Sequence, residues 1–275
     1  MSALPALRSS NRDRVVALGR RDLKIELSYH FGQLMQLLSI VFPVATYFYI
    51  AQLVNGSPEL SGYGGGYFEF VLVGLVGTTL ATLGSQMFSS MISREQSEGT
   101  LASILSTPTP LWVLLLGASL FPMGFAVVEV LIYLALGVGL FGAEFSATGL
   151  LVAIPVAALA VAAFAGIGIL SAAFIVVTKR GEPVTPLIRA ATTLFAGAVF
   201  PIALLPLPLQ FVGRMLPSYY AIEGLRAALL TDDPLSAWDE MLVLAVMAAV
   251  LLPLSMWALT KALRWGRISG TLSSF

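Results

Sequence analysis

The chain has 275 residues, 57% of them apolar and only 11% charged, and its fifteen basic and fifteen acidic side chains cancel. That is too little polar surface for a soluble domain, while several uncharged stretches exceed the roughly 20 residues that carry a helix across about 30 Å of hydrocarbon. With no cysteine and a single histidine, disulfides, thiolate metal sites, a cysteine nucleophile and a histidine-based zinc site are all excluded.

Six basic residues, Arg8, Arg12, Arg14, Arg20, Arg21 and Lys24, precede the first long apolar run. A signal peptide has an early apolar region instead, so this segment is expected to be retained. Val16, Leu23 and Leu27 share one side of a helix with Arg20 and Lys24 at its flank, but Asp22 and Glu26 stand close to the apolar side. A helix lying in the interface, with its arginines toward lipid phosphates, and a solvated helix both fit. His30 falls at the inner membrane edge, as an interfacial residue.

Six spans follow. The first runs from Phe31 to about Val54, before the loop "NGSPELSGYGGG", and the second from about Tyr67 to Ile92. The third covers Leu111 to about Phe141 and the fourth about Ala147 to Thr178, joined by a short turn at "GAEF". The fifth begins near Pro186 and fades after Phe200; the sixth is Met241 to Thr260. With the amino terminus in the cytosol, thirteen of the fifteen basic residues fall on the cytosolic side and only Arg214 and Arg226 outside. Cytosolic loops are enriched in Lys and Arg, so the bias sets the orientation and requires an even number of spans.

Between spans two and three lies the polar segment "ISREQSEGTLASILSTPTPLW". Ser93 and Gln96 match a capping box at a helix start. Gly99 can stop a helical turn, and Thr100 can cap a second short helix, Leu101 to Thr107, with Leu101, Ile104 and Leu105 on one stripe. Pro108 ends it, and Thr109 and Pro110 suit the N-cap and first position of the next span. The stripe needs cover. An amphipathic turn on the bilayer and a helix seated in the groove of a cytosolic partner both answer that need, although Glu95 and Glu98 disfavour an anionic membrane surface.

Small residues in "AALAVAAFAGIGILSAAF", including Ala162 and Gly166, permit close helix approach, between spans or between two copies of the chain. From Phe200 to Leu230 the chain is apolar but broken by Pro201, Pro206, Pro208 and Pro217. Two half-length helices that re-enter the outer leaflet, with Arg214, Glu223 and Arg226 among them, fit this better than a surface loop. Glu129 lies inside span three, where a charge costs about 2.5–3.5 kcal/mol, so it faces protein or water. It serves either the pathway or helix packing.

No G-x-x-x-x-G-K-[ST], H-E-x-x-H or G-x-S-x-G occurs, so the chain carries no phosphate-cradling ATPase loop and none of these catalytic motifs. An intramembrane enzyme needs a cluster of polar catalytic groups, and none is evident.

The segment "REQSEGTLASILSTP", through Arg94, Glu95, Glu98, Gly99, Thr100, Leu101, Leu105, Thr107 and Pro108, resembles the cytosolic loop of type-2 ABC exporter permeases. In that family an acidic residue precedes Gly-Thr-Leu and the helix closes with Thr-Pro. A lysine often follows the Leu-Leu-Gly of the family, where this chain has Ala118. The stretch "FAGAVFPIALLPLPLQFVGRMLPSYYAIEGLRAALL" is similar to the family's segment after the fifth span.

The resemblance implies an all-α integral membrane protein in one domain. Residues 1–30 form a cytosolic or interfacial helix, 31–262 the six-span region and 263–275 a cytosolic tail. Residues 93–108 become the coupling helix, with Arg94, Glu95, Glu98, Gly99, Thr100, Leu101, Ile104 and Leu105 facing a separate ATPase present in two copies. Pro201, Pro206, Pro217, Tyr220 and Arg226 fall in re-entrant helices that close the outer end. The chain is then a permease subunit of an exporter, paired with a second permease subunit as a homodimer or heterodimer in the plasma membrane, with both termini cytosolic. It binds no cofactor or nucleic acid, and ATP and magnesium belong to the partner. Few charges in the spans point to an amphipathic or lipid-like solute. The competing class is a secondary transporter or channel driven by an ion gradient through Glu129.

Overall fold

The computed structural model describes residues 10–54 except 27 and 29, 66–178 except 108, and 184–268. Among these the chain is helical and has no strand. Helix α1 is Asn11–Glu26, α2 His30–Ser39, α3 Val41–Val54, α4 Tyr67–Ser97 and α5 Leu101–Ser106. Helices α6, Leu111–Phe141, and α7, Ala147–Thr178, coincide with the expected third and fourth spans. They are followed by α8 Val184–Phe195, α9 Leu207–Met215, α10 Pro217–Leu230 and α11 Trp238–Ile268.

Five helical stretches among the described residues are long and apolar enough to cross a bilayer: Phe31–Leu53, Tyr67–Ser97, Leu111–Phe141, Ala147–Thr178 and Pro234–Gly266. The expected fifth span is different. Its helix α8 has 12 residues, about 18 Å at 1.5 Å per residue, and falls short of a crossing by itself. Irregular chain takes over at Ala196 and leads into the proline-started helices α9 and α10.

The first span is interrupted at Ile40, between α2 and α3. Pro43 explains the break, because its ring has no N–H for the carbonyl four residues back and crowds that position. The chain compensates with a tighter bond from the Ile40 N–H to the Leu37 carbonyl at 3.2 Å. Gly142, at φ 73, ends α6 in a left-handed turn, and the Ser146 hydroxyl accepts from the Gly149 N–H at 2.9 Å to start α7. The "GAEF" turn is thus made by a stop signal and a start signal four residues apart.

The core is built by α4, α7 and α11, with α6 and α10 against it. Close approach of α4 and α7 depends on two glycines. A β-carbon on Gly168 would lie 2.6 Å from the Gly84 carbonyl oxygen, and one on Gly84 would lie 2.5 Å from the Phe164 β-carbon. Gly166 does the same against Leu251 of α11, at 2.6 Å. This small-residue run therefore packs span against span inside one chain, leaving no side-chain gap at the crossing. Aromatic rings of Phe48, Phe68 and Phe141 join α3, the start of α4 and the end of α6, with centroids 4.5–5.5 Å apart.

Helix α1 packs along the start of α6, where Leu18 meets Gly117 and Gly19 meets Leu120. Val16 and Leu23, on the side expected to be apolar, are not covered by the rest of the chain, and Leu27 lies outside the described residues. Asp22, which stood as an imperfection in that pattern, is among the most buried residues of the helix. Its partner Arg94 lies in the last turn of α4.

Candidate functional site

Helix α4 continues five residues past the expected end of the second span, so Ser93 and Gln96 sit inside it and form no capping box. It stops at Gly99, whose φ of 70 only glycine adopts cheaply. The Gly99 N–H donates to the Gln96 carbonyl and the Thr100 N–H to the Glu95 carbonyl, each at 3.0 Å. These two bonds are the Schellman pattern, which satisfies carbonyls left free at a helix end. The chain then turns at once into α5.

Thr100 occupies the N-cap position of α5 but makes no side-chain cap bond there. Its hydroxyl donates backward, to the carboxylate of Glu95. Glu95 is only 3% exposed, and it also accepts from Arg21 Nη2 at 3.1 Å. Arg21 Nε in turn donates to Asp22 Oδ1 at 2.9 Å, and Arg94 Nη2 lies 3.8 Å from the same oxygen. Two buried carboxylates and two guanidinium groups thus tie α1, α4 and the start of α5 into one joint. Burial lowers the Arg21 pKa, but its hydrogen bond to Asp22 and the charges of Asp22 and Glu95 outweigh burial and raise it. The guanidinium stays charged.

The other residues expected in the coupling segment follow in sequence. Glu98 is the exposed C-cap of α4, and Gly99 has open space around it. Leu101 is buried and Ile104 packs against the core, while the Leu105 side chain and Pro108 lie outside the described residues. Serines 103 and 106 and Thr107 face outward. Helix α5 ends at Ser106, not Thr107. Pro110, expected inside α6, is its N-cap, with ψ 143 too extended for a helical position. Arg21 and Asp22 were missed as members of the site. The signal was available in Asp22, an acid on an otherwise apolar helix face, which requires a cationic partner when buried.

At the far end of α4, Pro201 is buried and precedes a short 3-10 turn, Pro206 is the N-cap of α9 and Pro217 opens α10. Tyr220 is half-buried, with its ring edge-on to Tyr219 at 5.1 Å. Arg226 is buried and bonded to backbone carbonyls. Glu129 stands apart from both ends. Gln36 Nε2 of α2 donates to Glu129 Oε1 of α6 at 2.7 Å, linking the two helices. No group of three or more potential His, Cys, Asp or Glu metal ligands occurs among the described residues.

Five long apolar helical stretches and a glycine-packed core together define a multi-pass membrane protein. The sequence model of the ABC-2 type transporter family matches residues 15–230, more than three quarters of the chain. The chain belongs to that family and is a transmembrane permease of the ABC-2 type. No curated protein matches the chain. Family membership implies association with an ABC ATPase subunit.

Proposed function

We propose that the chain is the membrane-spanning subunit of an ATP-driven exporter, and that α5 is the helix through which a separate ATPase moves it. The observation that carries this reading is the joint at Glu95. A helix of six residues cannot hold a direction by its own hydrogen bonds. Here its first turn is tied back to α4 through Thr100 and to α1 through Arg21. A push on α5 is therefore delivered to two long helices, α4 and, through Leu18 and Gly19 of α1, α6. A surface turn would have no need of two buried carboxylates, each met by an arginine.

The ATPase supplies the nucleotide chemistry, with ATP and magnesium bound there, and two ATPase copies serve two permease subunits, alike or paired with a close relative. In this reading α8 and the irregular chain after it make the sixth crossing, which restores the even count that the basic residues require. Both termini are then cytosolic, α5 lies in the cytosol of a cell with this complex in its plasma membrane, and α9 and α10 re-enter the outer leaflet. The solute is amphipathic or lipid-like, since Glu129 is the one acid expected deep in a span and is engaged by Gln36.

Purification of the intact complex tests the reading. An ABC ATPase should copurify, and Glu98→Arg or Gly99→Pro should separate ATP hydrolysis from export while the spans stay folded. Export and ATPase association both unchanged in the two variants would overturn it.

A further inference from the structure

Arg226 of α10 is 1% exposed and is the largest fully buried side chain in the described chain. Its Nη2 donates to the carbonyls of Gly197 at 2.8 Å and Ala198 at 3.1 Å, and to that of Phe70 at 3.2 Å. Nη1 meets Glu223 Oε1 at 2.9 Å, and the guanidinium carbon lies 3.4 Å from the centre of the Phe70 ring. The cation thus bridges α10 itself, the start of α4 and the chain just past the end of α8.

The three carbonyls are not equivalent. Phe70 lies inside α4, where a helical partner is available to its carbonyl. Gly197 and Ala198 belong to backbone that has left the helix and are themselves buried, out of reach of water. Gly197 adopts φ 70, a turn that brings two successive carbonyls to one guanidinium. Helix α8 packs mainly on α4, whereas α10 packs mainly on α7 and α4. Arg226 is accordingly the polar tie between the broken end of α8 and α10. Parting them would take two carbonyl acceptors from the buried Arg226, which keeps Glu223 and Phe70, and would leave the Gly197 and Ala198 carbonyls without that donor, a cost that apolar contacts alone do not impose.

We propose that Arg226 is the positioning residue of the outer end: it latches the broken end of α8 to α10 and α4, and this latch keeps residues 196–206 sealed from the outer medium in the resting complex. The inference rests on the orientation proposed above, with α8 running outward from the cytosol. Closure is then set by one side chain meeting unpaired backbone, and not by the proline-rich helices alone.

The natural lack of cysteine allows a direct test in the intact complex without nucleotide. Val199→Cys, next to Ala198 and half-buried, is treated with a membrane-impermeant maleimide in right-side-out and in inside-out vesicles, in the parent and with Arg226→Met or Gly197→Ala added. A second reporter, Ala160→Cys, sits at a fully buried position of α7. The latch predicts labelling from the outer side that rises by about tenfold or more with either added change, with Ala160→Cys unaffected. Gly197→Ala leaves the cation in place and moves the carbonyls, so it decides the matter even where Arg226→Met does not assemble. An unchanged Val199→Cys rate in the Gly197→Ala protein, or an equal rise at Ala160→Cys, overturns the latch. Labelling from the cytosolic side overturns the orientation instead.

Discussion

Thr100 and Glu95 are joined first through the backbone, by the Thr100 N–H to the Glu95 carbonyl at 3.0 Å, and second through the Thr100 hydroxyl, which donates to the Glu95 carboxylate. The first bond ends α4 and the second aims α5. Because the same carboxylate holds Arg21 of α1, three helices share one anion, and displacement of any of them is felt by the others.

Glu95→Gln should loosen this joint without unfolding the spans. It removes the charge that Arg21 and Thr100 address, at a cost of about 1–3 kcal/mol. Amide hydrogen exchange in α5 should accelerate while exchange in α7 stays the same. Arg21→Met should have a smaller effect, since the Arg21 side chain is 41% exposed and water screens what it contributes. In a double-variant cycle the two effects should fall short of additive, which is the signature of a shared interaction.

Gly99→Ala isolates the backbone. Nothing lies within 4 Å of a β-carbon placed there, so the only cost is the left-handed conformation, about 1–2 kcal/mol. Thermal stability of the solubilised complex should change little, while transport per ATP hydrolysed in vesicles should fall. Equal transport and coupling in Gly99→Ala would show that the angle between α4 and α5 is unimportant.

Gly168→Val and Gly124→Val form a contrasting pair. The first places methyl groups against the Gly84 and Ser85 carbonyls at the α4–α7 crossing, whereas the second enters open space on α6. Membrane yield and melting temperature should collapse for Gly168→Val and hold for Gly124→Val. Similar losses in both would contradict the packing described here.

The spans were largely legible because length and hydropathy alone define them: α6 and α7 begin and end at the residues expected. Proline and glycine also read well where their backbone effect is local, as at Gly99 and Gly142. The failures share one cause, which is that tertiary contacts reassign polar side chains. Ser93 and Gln96 carry a start pattern, yet the apolar contacts of α4 extend the helix through them. Thr100 looks like a cap for the next helix, but a buried carboxylate five residues earlier is the stronger acceptor for its hydroxyl. Asp22 spoiled an amphipathic pattern because its partners, Arg21 and Arg94, lie partly on another helix. The length of α8 was not readable, since the residues after Phe195 remain apolar; its break rests on Gly197 and on the distant Arg226.

Glu129 separates the two sources of energy. If it packs α6 on α2 through Gln36, Glu129→Gln should keep an interhelical hydrogen bond and ATP-dependent export should persist, with or without a proton uncoupler. Loss of transport in Glu129→Gln, together with collapse by the uncoupler in the parent, would favour a gradient-driven mechanism.

What touches α5 decides whether it is the contact for an ATPase. A photo-reactive residue in place of Ser103, which is exposed on that helix, should form a covalent adduct with the copurifying ATPase subunit in native membranes, with a yield that changes between nucleotide-free and ATP-bound states. Adducts to lipid alone, or a Ser103→Cys thiol that reacts from the outer face of sealed cells, would contradict it.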